Sequence, residues 1–217
     1  SGGRTDEVVA DPFPTESQRR LLSKGGVQLQ ADGDTITVVC PDRPGVFHRV
    51  AGVLALHGLD VIGAAIHSED GMALDEFRVE SGPGGMIQWE RVGDDVVKVL
   101  EGRLAIQARL DERIRTHRAR RRPGIHQLGH AVRFDNEASA DATVLEVVGA
   151  DSMGLLYRLT RALTDLDVDV RTAKIHTMGA DVVDTFYVVS ATGVKIDDVE
   201  HQDEIRRALL HALEPVS

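Results

Sequence analysis

Two short stretches of the chain have the residue types needed to hold a charged small molecule, and each is a copy of the other. Asp42-Arg-Pro-Gly45 and Asp151-Ser-Met-Gly154 stand 109 residues apart, each between an apolar β-branched run and an amphipathic segment. A strand that turns through such a sequence into a helix leaves backbone N–H groups at the helix start, where the positive end of the dipole attracts a carboxylate. The donors would be those of Arg43, Gly45 and Val46, with Phe47 following, and in the second copy those of Ser152, Gly154 and Leu155. Glycine lets the backbone approach a ligand closely, and Pro44 presets φ. The plainer reading stands beside it: Asp42 and Asp151 cap the helices, and the glycines merely turn the chain. The first copy is the better candidate, because Ser152-Met153 replaces Arg43-Pro44 in the second.

Other reactive groups form no catalytic constellation. Cys40 precedes a proline at the end of an apolar run, with no histidine motif beside it. Gly82-Pro-Gly-Gly85 has no following lysine and reads as a loop, not a phosphate cradle. His126 and His130 are four apart, but Pro123, Gly124 and Gly129 place them in a loop, and we assign no metal site. Asp75 and Asp184 recur at the same offset beside Phe77 and Phe186, which reads as structural. The run Arg118–Arg122 reads as a solvated helix end favoured by the dipole, or as a dock for an acidic partner.

The elements that would position these residues follow from the repeat. A shift of 109 residues aligns Asp34 to Ser81 with the second half without a gap, and Asp60/Asp169, Ala64/Ala173, His67/His176 and Asp75/Asp184 are among the identities. Each copy reads as strand (35–40; 143–148), helix, strand (60–67; 169–177), alternating strand and helix. This is the split βαβ arrangement, so the fold class is α+β: two ferredoxin-like βαββαβ units, each an antiparallel four-stranded sheet covered by two helices. Val27-Gln-Leu-Gln30 and Val132-Arg-Phe-Asp135 read as the completing strands, supplied to their own unit or to the other. Trp89 to Arg122 reads as one long helical pattern despite Gly93 and Gly102. The expected division is a tag remnant (Ser1-Gly-Gly3) and linker over 1–26, a first domain over 27–125 and a second over 126–217. An open apolar sheet edge is usually covered, so side-by-side pairing is expected, within the chain or in a homodimer.

Asp-Arg-Pro-Gly between strand and helix, followed by Ala64-Ala-Ile-His67 and Asp75-Glu-Phe-Arg-Val79, resembles the ACT domain, a small-molecule regulatory module. Gly154-Leu-Leu-Tyr-Arg-Leu-Thr-Arg-Ala-Leu163, Ala173-Lys-Ile-His-Thr-Met-Gly-Ala-Asp-Val-Val-Asp-Thr-Phe-Tyr-Val188 and the link Val132–Ser139 resemble the C-terminal tandem ACT region of uridylyltransferases that modify PII nitrogen-signalling proteins. The resemblance implies an amino acid, glutamine first, bound at the turn between two domains. Contacts from the second strand would then come from Ala65, Ile66 and His67 or Lys174, Ile175 and His176. It also implies a PII-type protein as partner of the whole enzyme, and magnesium only in nucleotidyltransferase and phosphodiesterase domains whose motifs are not in this stretch. No cofactor is expected here. A free-standing tandem ACT regulator and the ACT tail of an amino-acid-biosynthesis enzyme are the alternatives.

Composition fits this picture. A net charge of −10 over 217 residues argues against a nucleic-acid or phosphoinositide surface. Most of it lies from Phe134 on, with 16 acidic against 7 basic residues. One cysteine gives no disulfide framework, no run approaches a membrane span and no signal peptide opens the chain, so a cytoplasmic location is expected.

Overall fold

The computed structural model describes residues 13–82, 85–118, 129–178 and 181–214. The tag remnant, the middle of the Gly82–Gly85 loop, Ala119–Arg122 of the basic run and His126 lie outside these residues.

Helix α1 (Glu16–Lys24) starts at a capping box in which Thr15 accepts from the Gln18 backbone and Gln18 reaches back to Thr15. The first unit continues as β1 (Gln28–Asp32), β2 (Thr35–Pro41), α2 (Val46–Leu56), β3 (Leu59–Glu69), β4 (Met72–Ser81) and α3 (Trp89–Leu100). After α4 (Ile106–Arg118), the second unit runs β5 (Ala131–Asp135), β6 (Thr143–Ala150), α5 (Leu155–Asp165), β7 (Val168–Lys174), the short β8 (Thr177–Met178), β9 (Asp181–Ser190) and α6 (Val199–Leu213). Each completing strand belongs to its own unit: β1 forms a hairpin with β2, and β5 pairs antiparallel with β6. The edge strand of each sheet is therefore reached from the N-terminal side, giving the split βαβ sheet in the chain order ββαββα.

The expected single helix over 89–122 is broken into α3 and α4. Gly102, at φ 72°, ends α3: its N–H bonds Val99 O at 3.1 Å and that of Arg103 bonds Lys98 O at 2.7 Å. These two bonds form a Schellman motif, which a glycine in the left-handed region permits. The break lets Val92, Val96 and Val99 face the first core while Ile106 and Leu110 turn onto the junction between units.

The two sheets join edge to edge within the chain, in the order β1-β2-β4-β3-β7-β9-β6-β5. The seam is short. Gly63 pairs with Lys174, Ala64 with Ala173 and Ala65 with Thr172. Ala64 and Ala173 are equivalent in the repeat, so a local two-fold axis passes between them. Each seam strand also carries a bulge beside the axis, at Val61/Gly63 and at Val170/Thr172, again equivalent positions.

Phe77 stacks on Phe47 of α2 with ring centroids 4.9 Å apart, which fixes the helix-covered face of β4. Glu76, pointing the opposite way on the strand, meets Gln18 of α1, so α1 covers the back of the first sheet. Across the axis α2 packs on α5. Gly52 allows this approach: a Cβ there would stand 2.8 Å from both Tyr157 Cδ2 and Ile106 Cγ1.

Candidate functional site

Because β3 and β7 run antiparallel about Ala64 and Ala173, the start of each strand lies beside the other unit's strand–helix turn. Two related cavities result. The first, of ≈ 590 Å³, is walled by Asp42 to Phe47, by Asp75 of β4, by Thr160 and Thr164 of α5 and by Asp167 to Arg171 at the start of β7. The second, of ≈ 450 Å³, lies between Asp151, Ser152, Gly154 and Leu155, Asp184 of β9, and Leu59 to Ile62 at the start of β3. Both have the size and the interdomain position usual for small-molecule sites.

The turns differ from the simplest expectation in their donors. The cap position of α2 is Gly45 itself, at φ 88°, and that of α5 is Gly154, at φ 72°. The aspartates three residues earlier are therefore not the caps. The N–H of Val46 turns back onto Arg43 O at 3.3 Å and that of Leu155 onto Ser152 O at 3.0 Å. The helix-start donors that α-helix geometry leaves over are then those of Phe47 and His48 in the first copy. A side chain at position 45 would meet His48 Cε1 at 2.6 Å, whereas at position 154 the nearest atoms are Leu110 methyls at 3.8 Å.

The second turn is also tied down. Arg158 donates to Ser152 Oγ at 2.8 Å, to Met153 O at 3.1 Å and to Ala212 O of α6 at 3.0 Å. Ser152-Met153, which departs from the Arg-Pro of the first copy, is thus anchored to its own domain.

Of the second-strand residues expected at the site, Ile66 lines the first cavity, and Ile175 and His176 line the second. Ala65 and Lys174 lie in the seam instead. Lys174 sits over the Tyr187 ring at 5.6 Å, and His67 meets Glu69 at 3.4 Å, half-exposed at the end of β3. The strand contribution to each cavity comes chiefly from the other unit and from the strand's first residues, above all Asp169 and Arg171. Residue spacing within one copy does not reveal this. The fixed-offset identities Asp60/Asp169 and Asp75/Asp184 mark positions that line the cavities, but not which unit's turn they face.

Charge in the first cavity is mixed, with carboxylates of Asp42, Asp167 and Asp169 against Arg43 and Arg171. Burial raises the Asp169 carboxyl above its ordinary value; Arg171 opposes this and Asp42, facing it across the seam, reinforces it. Asp75 is 1% exposed, and neither carboxyl oxygen has a hydrogen-bond partner. Its pKa is pushed up to about 7, first by burial and then by Asp42. Asp184 is its counterpart at 2% exposure, likewise raised to about 7 by burial, with a backbone hydrogen bond from His176 opposing the rise. The Cys40 thiol is pushed up to about 12 by burial and by Asp75, which removes thiolate chemistry. Burial and the charges of Arg49 and Arg161 bring His48 down to about 4, so its ring is neutral, with Nδ1 3.3 Å from Thr164 Oγ1.

Such a pocket suits a zwitterion: helix-start donors and an arginine for a carboxylate, buried carboxylates for a cation. Among the described residues no group of three or more His, Cys, Asp or Glu could hold a metal ion, and no helix is long and apolar enough to cross a membrane.

A family model described as "ACT domain" matches residues 35–83, and one described as "ACR9-like, ACT-like domain" matches residues 131–216. Bifunctional uridylyltransferase/uridylyl-removing enzymes are similar across most of the chain. That of Azospirillum brasilense is 39% identical over 184 residues, 82% of this chain and 20% of the enzyme. That of Streptomyces coelicolor is 40% identical over 208 residues, 88% of this chain and 25% of the enzyme. The chain thus spans a fifth to a quarter of the length of these relatives. Among solved structures, the regulatory subunit of aspartate kinase from Thermus thermophilus aligns over 87% of this chain and 97% of its own, at 15% identity and a TM-score of 0.24, too slight to bear on function. Two matched domains, a repeat folded twice and relatives that align across both halves lead to one conclusion: the chain belongs to the ACT family, as a tandem of two ACT domains similar to a region of the bifunctional uridylyltransferases.

Proposed function

We propose that this tandem senses an amino acid, glutamine, in the first interdomain cavity, and that binding biases attached nucleotidyltransferase and demodifying domains acting on a PII-type protein. The observation that carries the reading is the cavity's composition. It is walled by both domains, with helix-start donors and Arg43 from one and Asp169 and Arg171 from the other. A ligand held there grips two domains at once, so it can favour one arrangement of them over another, as allosteric coupling requires. The activities named for the relatives, addition and removal of a uridylyl group, supply the opposed outputs that such a signal would balance.

Calorimetric titration of L-glutamine into wild type, Gly45→Val and Gly154→Val tests the reading, with circular dichroism to confirm folding. Position 45 combines φ 88° with a contact of 2.6 Å to His48, whereas position 154 has φ 72° and room for a Cβ. Gly45→Val is expected to weaken binding more than about tenfold, equivalent to about 1.4 kcal/mol, and Gly154→Val less. Wild type that shows no heat with glutamine refutes glutamine sensing by this tandem. Loss in Gly154→Val alone moves the site to the second cavity.

A further inference from the structure

Asp75 has no structural work that accounts for its position. It lies on β4 opposite Val38 and Ile66, on the face that packs against α2, and its neighbour two residues on is the fully buried Phe77. A carboxyl placed in such a core is costly unless it is hydrogen-bonded. Neither of its oxygens has a partner, yet the side chain lines the first cavity. The second unit builds the same feature: Asp184 is equivalent in the repeat, equally buried, and lines the second cavity with Oδ1 unpartnered. There, however, the carboxyl already receives a hydrogen bond from the His176 backbone, so only in the first copy are both oxygens without a partner.

From this geometry we infer that Asp75 is a ligand-binding residue: its carboxylate receives the α-ammonium group of the amino acid held in the first cavity. The inference rests on the sensing role proposed above. The helix start of α2 with Arg43 takes the ligand carboxylate, and the ammonium group inserts between Asp75 and the rim carboxylates Asp42 and Asp169. A primary ammonium brings three donors, enough to reach carboxyl groups on both sides of the seam.

The groups facing Asp75 are Asp42 and Arg43 from the turn, Cys40 from β2, and Asp167, Asp169 and Arg171 from the second unit. The cavity residues contributed by α5 (Thr160 and Thr164) and by β3 (Ile66 and Ser68) are uncharged. With the Asp75 carboxyl raised to about 7, the empty site holds a proton in mildly acid solution, and the arriving cation displaces it.

The experiment compares L-glutamine with 4-carbamoylbutyrate, the same molecule without its amino group, by calorimetry on wild type, Asp75→Asn and Asp184→Asn. Wild type is expected to bind glutamine about 10- to 100-fold more tightly than the analogue, the usual range for one buried charge-assisted contact. Asp75→Asn should remove most of this preference for glutamine, with Asp42 and Asp169 keeping the remainder, and leave the analogue unchanged, whereas Asp184→Asn should leave both as in wild type. Titrations of wild type at pH 6 in buffers of different ionisation enthalpy should show release of close to one proton per glutamine, an arm that needs no variant to fold. Asp75→Asn that binds glutamine as wild type does, or wild type that releases no proton, overturns the assignment and leaves glutamine sensing intact. Wild type that binds neither compound removes glutamine sensing and this inference together.

Discussion

Replacing Asp75 with asparagine should change how the empty protein's stability depends on pH, and the size of the change follows from the site. The carboxyl has an ordinary pKa of 3.8 and one of about 7 in the folded chain. The folded state therefore holds this proton more tightly than the unfolded state. Its contribution is most favourable below the unfolded value and is lost as pH rises towards the folded one. Every tenfold difference in proton affinity between the two states is worth about 1.4 kcal/mol, so from strong acid to pH 8 the single group removes about 4 kcal/mol, of which about 2 to 3 falls between pH 5 and pH 8. Asparagine cannot ionise. Its unpaired amide lowers stability by an amount independent of pH, and other titrations are common to both proteins and cancel in the difference. Denaturant unfolding of wild type and Asp75→Asn at half-unit steps from pH 5 to pH 8 measures that difference directly. Asp75→Asn should gain about 2 to 3 kcal/mol on wild type across the range. A difference that stays constant across these pH values would mean that Asp75 ionises normally, and the account of its burial would be refuted.

Gly52→Leu should destabilise by about 2 kcal/mol or more, because it inserts a side chain where even a Cβ meets Tyr157 and Ile106 at 2.8 Å; thermal melts beside the milder Gly52→Ala check it. Cys40, 2% exposed with its thiol pushed up to about 12, should resist labelling by a thiol reagent at pH 8 in the folded protein and react fully once denatured. Fast labelling of the native chain would contradict its place in the core.

The repeat, the strands and both strand–helix turns are legible in the sequence because each leaves a local mark: period-2 alternation, β-branched runs, and an aspartate and a glycine at fixed spacing. The break at Gly102 is not, since a lone glycine in a helical pattern is compatible with a continuous helix, and only packing of Leu110 onto the junction decides otherwise. That Asp169 and Arg171 stand beside Asp42 depends on the seam between β3 and β7, whose register no periodicity encodes. Asp75 stands out as a recurring residue, but alternation says only which face a side chain takes. Whether its oxygens find partners is a property of the assembled core. Asp42 and Asp151 have the residue type of helix caps, yet Gly45 and Gly154 hold those positions because the chain enters each helix through the left-handed region.

The seam at Ala64 and Ala173 has an evolutionary consequence. When two separate copies of a domain meet about a two-fold axis, every substitution appears on both sides, and the two sites must stay identical. Here the axis lies inside one polypeptide, and each half can change without the other. In the second half Arg158 fastens Ser152 and Met153, and the His176 backbone bonds the Asp184 carboxyl; in the first, both Asp75 oxygens are buried at the cavity wall without a hydrogen-bond partner. A molecule that keeps the outline of a symmetric dimer has been released from its arithmetic. One pocket is free to remain a receptor while its twin becomes scaffold, and the expected dose response is a simple hyperbola with one ligand per chain.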